Sequence, residues 1–365
     1  MKKRTDRPGS GLPMDRRALL LGLGSAALLA ACQDSAEAGQ DLADAGDSAA
    51  GGAGDGAGQG TGAAVSPKGS PQDNPLPAIS ANEQHYVTSC CGTPELTAQT
   101  WQLQFLYRGA PLATATLADL KALPARTKEH TLACISAGPK HQAYGNAVWT
   151  GLPLVEILAA LKVAVPTDTP YLHLTAKDGY TTGLPASDLQ RPIWLVWQMN
   201  GADIPADHGF PVRMLVPGRF GMKNPKWLTK LEFSDKPLEG FWEHMGWSDT
   251  ALYRPCALVS APLAGPIKAG TVRVAGMAYA GSDPVVKVEV RVDKGPWQLA
   301  TLDYAPGADV WALWHWDWPA TAGSHSVQAR CTTASGAASL DSEGGAAGPG
   351  LEGYGGSMTA QFAVT

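Results

Sequence analysis

The sequence predicts two folded domains of different classes, an α+β domain at residues 76–252 followed by an all-β immunoglobulin-like sandwich at residues 253–365. Three observations support this prediction. Residues 76–252 mix strand-like alternation with helical spacing of leucines, the chain after residue 255 shows only short alternating runs, and residues 33–75 contain almost no large apolar side chain. The 365 residues are enough for about two domains of 150 residues each.

The first 75 residues are predicted to lie outside both folded domains. Arg16 and Arg17 precede an apolar run at 18–29, the pattern of an export signal. The run ends in Leu-Ala-Ala-Cys at 29–32, which resembles a bacterial lipobox with Cys32 as the lipidated residue, and the paired arginines resemble a twin-arginine signal. We therefore expect residues 1–32 to direct export, and the protein to be a periplasmic or cell-envelope lipoprotein. An ordinary secretory leader is the alternative.

Residues 33–75 are rich in Gly, Ala and Asp, and such a segment cannot bury enough apolar surface to offset its ordering entropy. We interpret it as a disordered tether between the lipid anchor and the folded body. Residues 1–32 carry six basic and two acidic side chains, whereas residues 33–75 carry one lysine and seven acidic side chains. The remaining chain is nearly neutral, which argues against nucleic-acid binding.

No apolar run reaches the length of about 18 residues that a membrane span requires. We therefore expect contact with a membrane only through the N-terminal lipid.

The elements of the first domain follow from local periodicity. Residues 101–107 alternate as a strand, Leu117, Leu120 and Leu123 have helical spacing, and the apolar positions of 154–161 form a second helix after Pro153. Residues 171–176 and 212–216 are typical of buried strands. The sandwich strands are predicted from short runs of period two separated by Gly, Pro and Asp, at 271–274, 286–292, 297–302, 326–329 and 359–364.

The six cysteines have different predicted roles. Cys256 and Cys331 both fall in the sandwich, where export permits a disulfide that spacing alone cannot establish. Cys90 and Cys91 are adjacent and are not expected to bond to each other, and the absence of any C-x-x-C spacing excludes a zinc ribbon. Cys134 follows a strand and precedes a glycine-containing loop, which fits either a buried thiol or a soft-metal ligand.

Several ordered motifs resemble the sulfite oxidase family of molybdopterin-dependent oxidoreductases, over residues 80–365. They are Cys134 with GNAVWTGLPL at 145–154, DHGFPVRMLVPG at 207–218, GMKNPKWL at 221–228, GFWE and GW at 240–247, and the stretches 270–279 and 314–325. The resemblance implies a molybdopterin-binding domain at 76–252 and an immunoglobulin-like dimerisation domain at 253–365. It also implies a molybdenum-molybdopterin cofactor.

The resemblance also implies roles for individual residues. Cys134 corresponds to the single protein thiolate on molybdenum, and Tyr180 to the active-site tyrosine. The implied contacts to the pterin and its phosphate are Tyr86, Asp178, His208, Arg213, Asn224, Pro225 and Lys226. Arg219 is a further candidate for the pocket, although surface charge is the simpler interpretation.

The resemblance further implies a homodimer, to which the tryptophan-rich run 311–318 would offer apolar contact area. Because the chain has no haem-attachment C-x-x-C-H, we expect no haem and a separate electron-transfer partner such as a cytochrome c.

The chain departs from the family where sulfite would bind. Ile135-Ser136-Ala137-Gly138 follows Cys134 in place of an Asn-Arg pair, and the turn Gly281-Ser282-Asp283-Pro284 lacks the family's arginine. Gln84-His85-Tyr86-Val87 replaces the His-rich N-terminal motif. At least two cations are therefore missing, and a dianion without countercharge is costly to bury.

We therefore predict an enzyme that transfers an oxygen atom and two electrons, with a small oxyanion, an S-oxide or an N-oxide as its substrate. Reduction of an S-oxide or N-oxide is the alternative to oxidation. A cofactor-free cell-envelope lipoprotein is the other alternative. A hydrolase is disfavoured by the absence of Gly-x-Ser-x-Gly.

Overall fold

The computed structural model describes residues 76–138, 143–262, 267–340 and 352–365. The predicted export signal and tether at 1–75 lie outside the described residues. Within the described ranges, no helix is both long enough and apolar enough to cross a membrane.

The first half of the described chain forms ten short strands and three short α-helices. The strands are β1 (Gln102–Tyr107), β2 (Ala110–Thr116), β3 (Arg126–Ala133), β4 (Tyr144–Pro153), β5 (Tyr171–Ala176), β6 (Thr181–Pro185), β7 (Trp194–Met199), β8 (Ala202–Asp203), β9 (Arg213–Leu215) and β10 (Leu228–Ser234). The helices are α1 (Leu117–Lys121), α2 (Leu154–Ala160) and α3 (Phe241–His244), and 3₁₀ turns occur at Asn82–Gln84, Ala186–Gln190, Ala206–His208 and Gly221–Lys223. This mixture confirms the α+β prediction.

Two five-stranded sheets build this half of the molecule. The first has the order β2-β1-β10-β5-β6, and the second has the order β3-β4-β7-β8 with β9 paired to β7. Strand β1 shows the alternation that the sequence predicted, because Leu103 and Phe105 are buried while Gln102 and Gln104 face solvent. Helix α1 begins with a capping box formed by Thr116 and Asp119.

The second half contains eight strands in two four-stranded sheets. The strands are β11 (Cys256–Ala261), β12 (Gly270–Tyr279), β13 (Val285–Val292), β14 (Gln298–Leu299), β15 (Thr301–Tyr304), β16 (Ala312–Ala320), β17 (Gly323–Thr333) and β18 (Thr359–Val364). The orders are β11-β12-β16-β15 and β14-β13-β17-β18. This arrangement confirms the predicted sandwich.

The segment predicted as one strand at 297–302 is two strands in the structure. Strand β14 pairs with β13 in one sheet, whereas β15 pairs with β16 in the other. The buried residue Ala300 lies between them, so the chain changes sheets at this point. Alternation alone could not predict the change, because both halves keep a period of two.

The tryptophan run packs inside the protomer. Trp314, Trp316 and Trp318 alternate along β16 with His315 and Asp317, and all three indoles lie in the sandwich core. The argument that these tryptophans offer contact area to a second protomer is wrong, because their side chains are already buried.

A shared apolar cluster connects the sandwich to the segment around Cys134. It contains Ala133, Ile135 and Phe220 from the first half and Leu258, Met277, Tyr279 and Trp311 from the second. The partly buried Cys134 and Tyr86 pack against the same cluster. The sandwich therefore supports the loop that carries the candidate metal ligand.

The pairing of the cysteines differs from the sequence-based expectations. Cys90 and Cys91 form a disulfide with each other, so the expectation that they would not bond is wrong. Cys256 and Cys331 are free, buried thiols, and Cys331 Sγ donates to the carbonyl of Cys256 at 3.3 Å. The possible disulfide between them is therefore absent.

Candidate functional site

Cys134 lies directly after β3, and its backbone is held on both sides. Its amide donates to Ala143 O at 3.0 Å, its carbonyl accepts from Ala137 N at 3.0 Å, and the preceding amide of Ala133 donates to Tyr253 Oη at 2.9 Å. The thiol is only partly buried, and Ser136 Oγ lies 3.2 Å from its sulfur. A fixed backbone with an accessible sulfur is the arrangement that a metal ligand requires.

Tyr86 approaches Cys134 from the N-terminal segment. Its hydroxyl lies so close to Gly221 that a Cβ atom there would be 2.6 Å from it, which explains the glycine at 221. Its ring stacks on His85 with centroids 5.3 Å apart. Burial raises the pKa of Tyr86, and the nearby charge of Cys134 raises it further, so the phenol stays protonated.

Arg213 is a buried cation without a carboxylate partner. The residue is 5% exposed, and its terminal nitrogens donate to His208 O at 3.0 Å and to Asn224 O at 3.2 Å. Its Nε–H has no hydrogen-bond partner, and the ion pairs of the described residues do not include it. Desolvation lowers the pKa of Arg213 to about 10.

Lys226 is a second desolvated cation in the same region. Its Nζ donates to Asp207 O at 2.7 Å and lies 4.3 Å from the centroid of the Trp227 ring. Burial, followed by the charge of Arg213, lowers the pKa of Lys226 to about 7. No described carboxylate lies within salt-bridge distance of this amine.

His208 fixes the loop that carries these contacts. Its Nε2 atom is 2.8 Å from Asn82 O, and its ring lies edge-on to that of His85 at 5.4 Å. Burial lowers the pKa of both imidazoles, that of His85 to about 3, so both rings are neutral at neutral pH. Neutral rings leave Arg213 and Lys226 as the local positive charges.

Asp178 and Tyr180 lie in the turn between β5 and β6. The Asp178 carboxylate accepts from Tyr180 N at 3.0 Å, and Gly179 permits the turn with its φ of +90°. Burial raises the pKa of Asp178. The Tyr180 hydroxyl donates to Met222 O at 2.5 Å, and burial raises its pKa, with smaller contributions from Glu243, Asp178 and Cys134.

The Asn224 side chain is committed to the protein itself. Its Oδ1 accepts from Val216 N at 2.6 Å, and its Nδ2 donates to Arg219 O at 3.1 Å and Phe220 O at 2.9 Å. The neighbouring Pro225 is buried, and its carbonyl accepts from Met214 N at 3.0 Å. Asn224 therefore connects the loop at 219–220 to Val216, which directly follows β9.

Comparisons with known proteins place this site in a family. The family model "Oxidoreductase molybdopterin binding domain" matches residues 91–242, which include Cys134, Arg213 and Lys226. Mitochondrial sulfite oxidase of Drosophila melanogaster is 27% identical over 287 residues, covering 64% of this chain and 49% of that protein. The mitochondrial sulfite oxidase of Homo sapiens is 26% identical over 305 residues, covering 69% and 55%. Residues 91–242 therefore carry a molybdopterin-binding oxidoreductase domain, and the chain is similar to sulfite oxidases.

The match to these sulfite oxidases is partial in length, since the chain spans about half the length of the relatives from fly and human. The uncharacterised oxidoreductase YuiH of Bacillus subtilis is 32% identical over 130 residues, covering 35% of this chain and 63% of that protein. The sulfane dehydrogenase SoxCD of Paracoccus pantotrophus superposes with a TM-score of 0.71 at 20% identity, covering 80% of this chain and 82% of that one. This superposition supports the fold.

The described residues fit the family's molybdenum-molybdopterin cofactor. Its terminal phosphate is an anion, and Arg213 and Lys226 are two desolvated cations that lack a carboxylate partner. The unpaired Nε–H of Arg213 is a free donor for such a group. Cys134 supplies an accessible sulfur and packs against the same apolar cluster as Tyr86.

Two buried ion pairs near the site were not predicted from the sequence. Arg219 makes a bidentate pair with Asp188 and donates to Thr250 O, so it is neither a surface charge nor a free pocket cation. Lys223 is fully buried and pairs with Glu243, which also accepts from Thr182 Oγ1 at 2.6 Å. The paired residues lie 31 positions apart in the first pair and 20 positions apart in the second, so no local sequence pattern predicts these contacts.

Proposed function

We propose that this protein is a molybdenum-molybdopterin oxidoreductase that transfers an oxygen atom and two electrons, with Cys134 as the protein ligand to molybdenum. The observation that carries the proposal is the placement of Arg213 and Lys226, two desolvated cations without carboxylate partners, in the region of an accessible thiol. Buried charges without partners are costly, so a chain retains them where a ligand supplies the countercharge.

When bound, the cofactor supplies the two-electron oxygen-atom chemistry. The chain's own residues bind and orient it. Arg213 and Lys226 neutralise the phosphate, and the Arg213 fork suits phosphate geometry better than a point charge would. Ser136 Oγ, 3.2 Å from Cys134 Sγ, donates a hydrogen bond to the thiolate. Tyr180 keeps its phenolic proton, since burial raises its pKa, and donates it to Met222 O.

We further propose that the substrate carries less charge than sulfite. Ser136 and the turn at 281–284, which contains Ser282, stand where the resemblance to sulfite oxidases implies arginines. Ser282 lies against Gly218 and donates to Asp309 at 2.7 Å, and Asp309 in turn pairs with Lys128 at 3.2 Å. Arg219 is neutralised by Asp188. These pairs leave little positive charge for a dianion, which favours an uncharged S-oxide or N-oxide.

The test separates cofactor loading from substrate choice. Molybdenum is measured by plasma mass spectrometry, and sulfite oxidation is then measured at known occupancy with ferricyanide as acceptor. We expect loaded protein with poor sulfite turnover, because each missing charge-assisted hydrogen bond costs about 1.5–3 kcal/mol. Absence of molybdenum after expression with cofactor biosynthesis would contradict the enzyme assignment. A kcat/KM of about 10⁶ M⁻¹s⁻¹ on sulfite would contradict the substrate proposal.

We propose an exported lipoprotein that forms a homodimer and passes electrons to a separate cytochrome c-like acceptor. The support for export is the motif at 16–32, and the support for the dimer is the family resemblance of the sandwich. Static light scattering on the full chain with Cys32→Ser, over micromolar concentrations, tests the dimer. A monomeric mass throughout that range would contradict it.

A further inference from the structure

The Cys90–Cys91 disulfide lies beside the carboxylate of Asp178. The two sulfur atoms and a carboxylate oxygen all lie within 4.8 Å of one another, although the residues are separated by almost ninety positions in the sequence. The disulfide lies in a turn held by Ser89, whose hydroxyl donates to Gly92 O at 2.9 Å and accepts from Cys91 N at 3.4 Å. Two independent segments therefore bring three ligand atoms together.

We propose that Cys90, Cys91 and Asp178 form a redox-gated binding site for a thiophilic divalent cation. The disulfide is the closed state. In the open state, Cys90 and Cys91 are thiolates and the Asp178 carboxylate is the third ligand. Cys134 is not among its ligands. Because the family resemblance implies Asp178 as a pterin contact, cation binding and pterin contact are alternative roles of the same carboxylate.

The geometry suits a tetrahedral ion of the zinc group. Zinc lies about 2.3 Å from thiolate sulfur and about 2.0–2.2 Å from carboxylate oxygen, so its ligand atoms are about 3.5 Å apart. The two sulfurs are bonded to each other in the structure, so reduction must let them move apart to the separation that a zinc ion requires, within the range of side-chain rotation. Cys91 is exposed and Cys90 and Asp178 are partly exposed, so an ion and a water ligand can reach the position.

The charges point to the same class of ligand. The ion pairs of the described residues do not include Asp178; burial disfavours its charged form, and the nearby charge of Lys226 favours it. Two thiolates beside this carboxylate would repel it and one another. A divalent cation removes that repulsion, and two sulfurs with one oxygen favour a soft or borderline metal over calcium or magnesium.

The opening step is a thiol–disulfide exchange. A small dithiol reductant supplies two electrons and two protons, its own sulfurs are oxidised to a disulfide, and the Cys90–Cys91 bond is replaced by two thiols. The cation then displaces both thiol protons as it forms two metal–sulfur bonds.

Cadmium is a suitable probe, because bonds between thiolate and cadmium absorb in the ultraviolet. The test uses the full chain with Cys32→Ser and Cys134→Ser, which leaves only the buried Cys256 and Cys331 as other thiols. The reductant is removed before titration. We expect one equivalent of cadmium to bind to the reduced chain and no thiolate band in the oxidised chain.

Variants identify the ligands. Cys90→Ser with Cys91→Ser should abolish the band, and Asp178→Asn should weaken cadmium affinity about tenfold or more, since one anionic ligand is lost. The exposed Asp235→Asn, in the loop after β10, is the matched control and should bind as the parent does. A reduced chain that binds no cadmium, a band that survives loss of both cysteines, or unchanged affinity in Asp178→Asn would each overturn the proposal.

Discussion

The guanidinium of Arg213 lies over the indole ring of Trp149, with 5.1 Å between Cζ and the ring centroid. Trp149 is fully buried in β4, and its Nε1 donates to His130 O at 3.2 Å, so the ring is fixed. The aromatic face and two backbone carbonyls therefore hold the cation in place of a carboxylate. A cation held in this way keeps its charge available to an anionic ligand.

Replacement of Arg213 should reduce cofactor retention. Arg213→Met removes the charge and the fork, and hydrogen bonds to charged groups are worth about 1.5–3 kcal/mol each, so we expect at least a tenfold loss of bound pterin and molybdenum. Arg213→Lys should retain more than Met, because it keeps the charge without the fork. Pterin fluorescence and metal analysis on purified protein measure both. The exposed Arg126→Met is the control, and full retention in Arg213→Met would contradict the role.

Asn224→Ala should destabilise the cofactor-free protein. The substitution removes three hydrogen bonds and leaves buried backbone groups unsatisfied, each at a cost of about 1–3 kcal/mol. We expect a fall in the free energy of unfolding of several kcal/mol, measured by urea denaturation of the cofactor-free chain. An unchanged midpoint would show that Asn224 acts through the cofactor alone.

The sequence predicted the secondary-structure elements well where the alternation of apolar and polar residues follows the burial of side chains. Strands β5 and β18 match their predicted ranges, because each buries one face of a sheet. The sheet change at Ala300 was missed, since a strand that crosses between sheets keeps its period.

The candidate site was predicted through a family resemblance rather than through local physics. The contacts that distinguish roles within it, such as Arg219 with Asp188 or the disulfide beside Asp178, depend on which distant segments meet. Composition and local spacing do not predict contacts between segments that are distant in the sequence. Tyr86, Asp178, His208 and Lys226 are brought into one region with Arg213, but their roles as cofactor contacts stay predictions.

Cys134→Ser should separate folding from redox function. The backbone of Cys134 is held by Ala143, Ala137 and the Ala133–Tyr253 bond, none of which uses the thiol, so the variant should unfold at nearly the parental temperature. We expect retained pterin but loss of redox activity by several orders of magnitude. The buried Cys331→Ser serves as a comparison that leaves this thiol intact. Full activity in Cys134→Ser would refute the ligand assignment.

Lys226 should make anion binding depend on pH. In the cofactor-free protein its pKa is lowered to about 7 by burial, so the amine loses its proton as pH rises through neutrality. A bound dianion favours the protonated amine and raises its pKa, so affinity should be high below pH 7 and decline above it, by up to about tenfold per pH unit. Sulfate is the suitable probe because it does not titrate in this range, whereas phosphate does.

Calorimetric titration of sulfate from pH 6 to 9 measures this dependence. Lys226→Met should bind weakly with a nearly flat profile, and any slope that remains would report His208, whose pKa is also lowered by burial. Lys226→Arg should bind with a flat profile at higher affinity, because arginine stays charged throughout the range. If the parent and Lys226→Met showed the same slope, Lys226 would not be the group that titrates, and its assignment as a phosphate contact would lose its electrostatic basis.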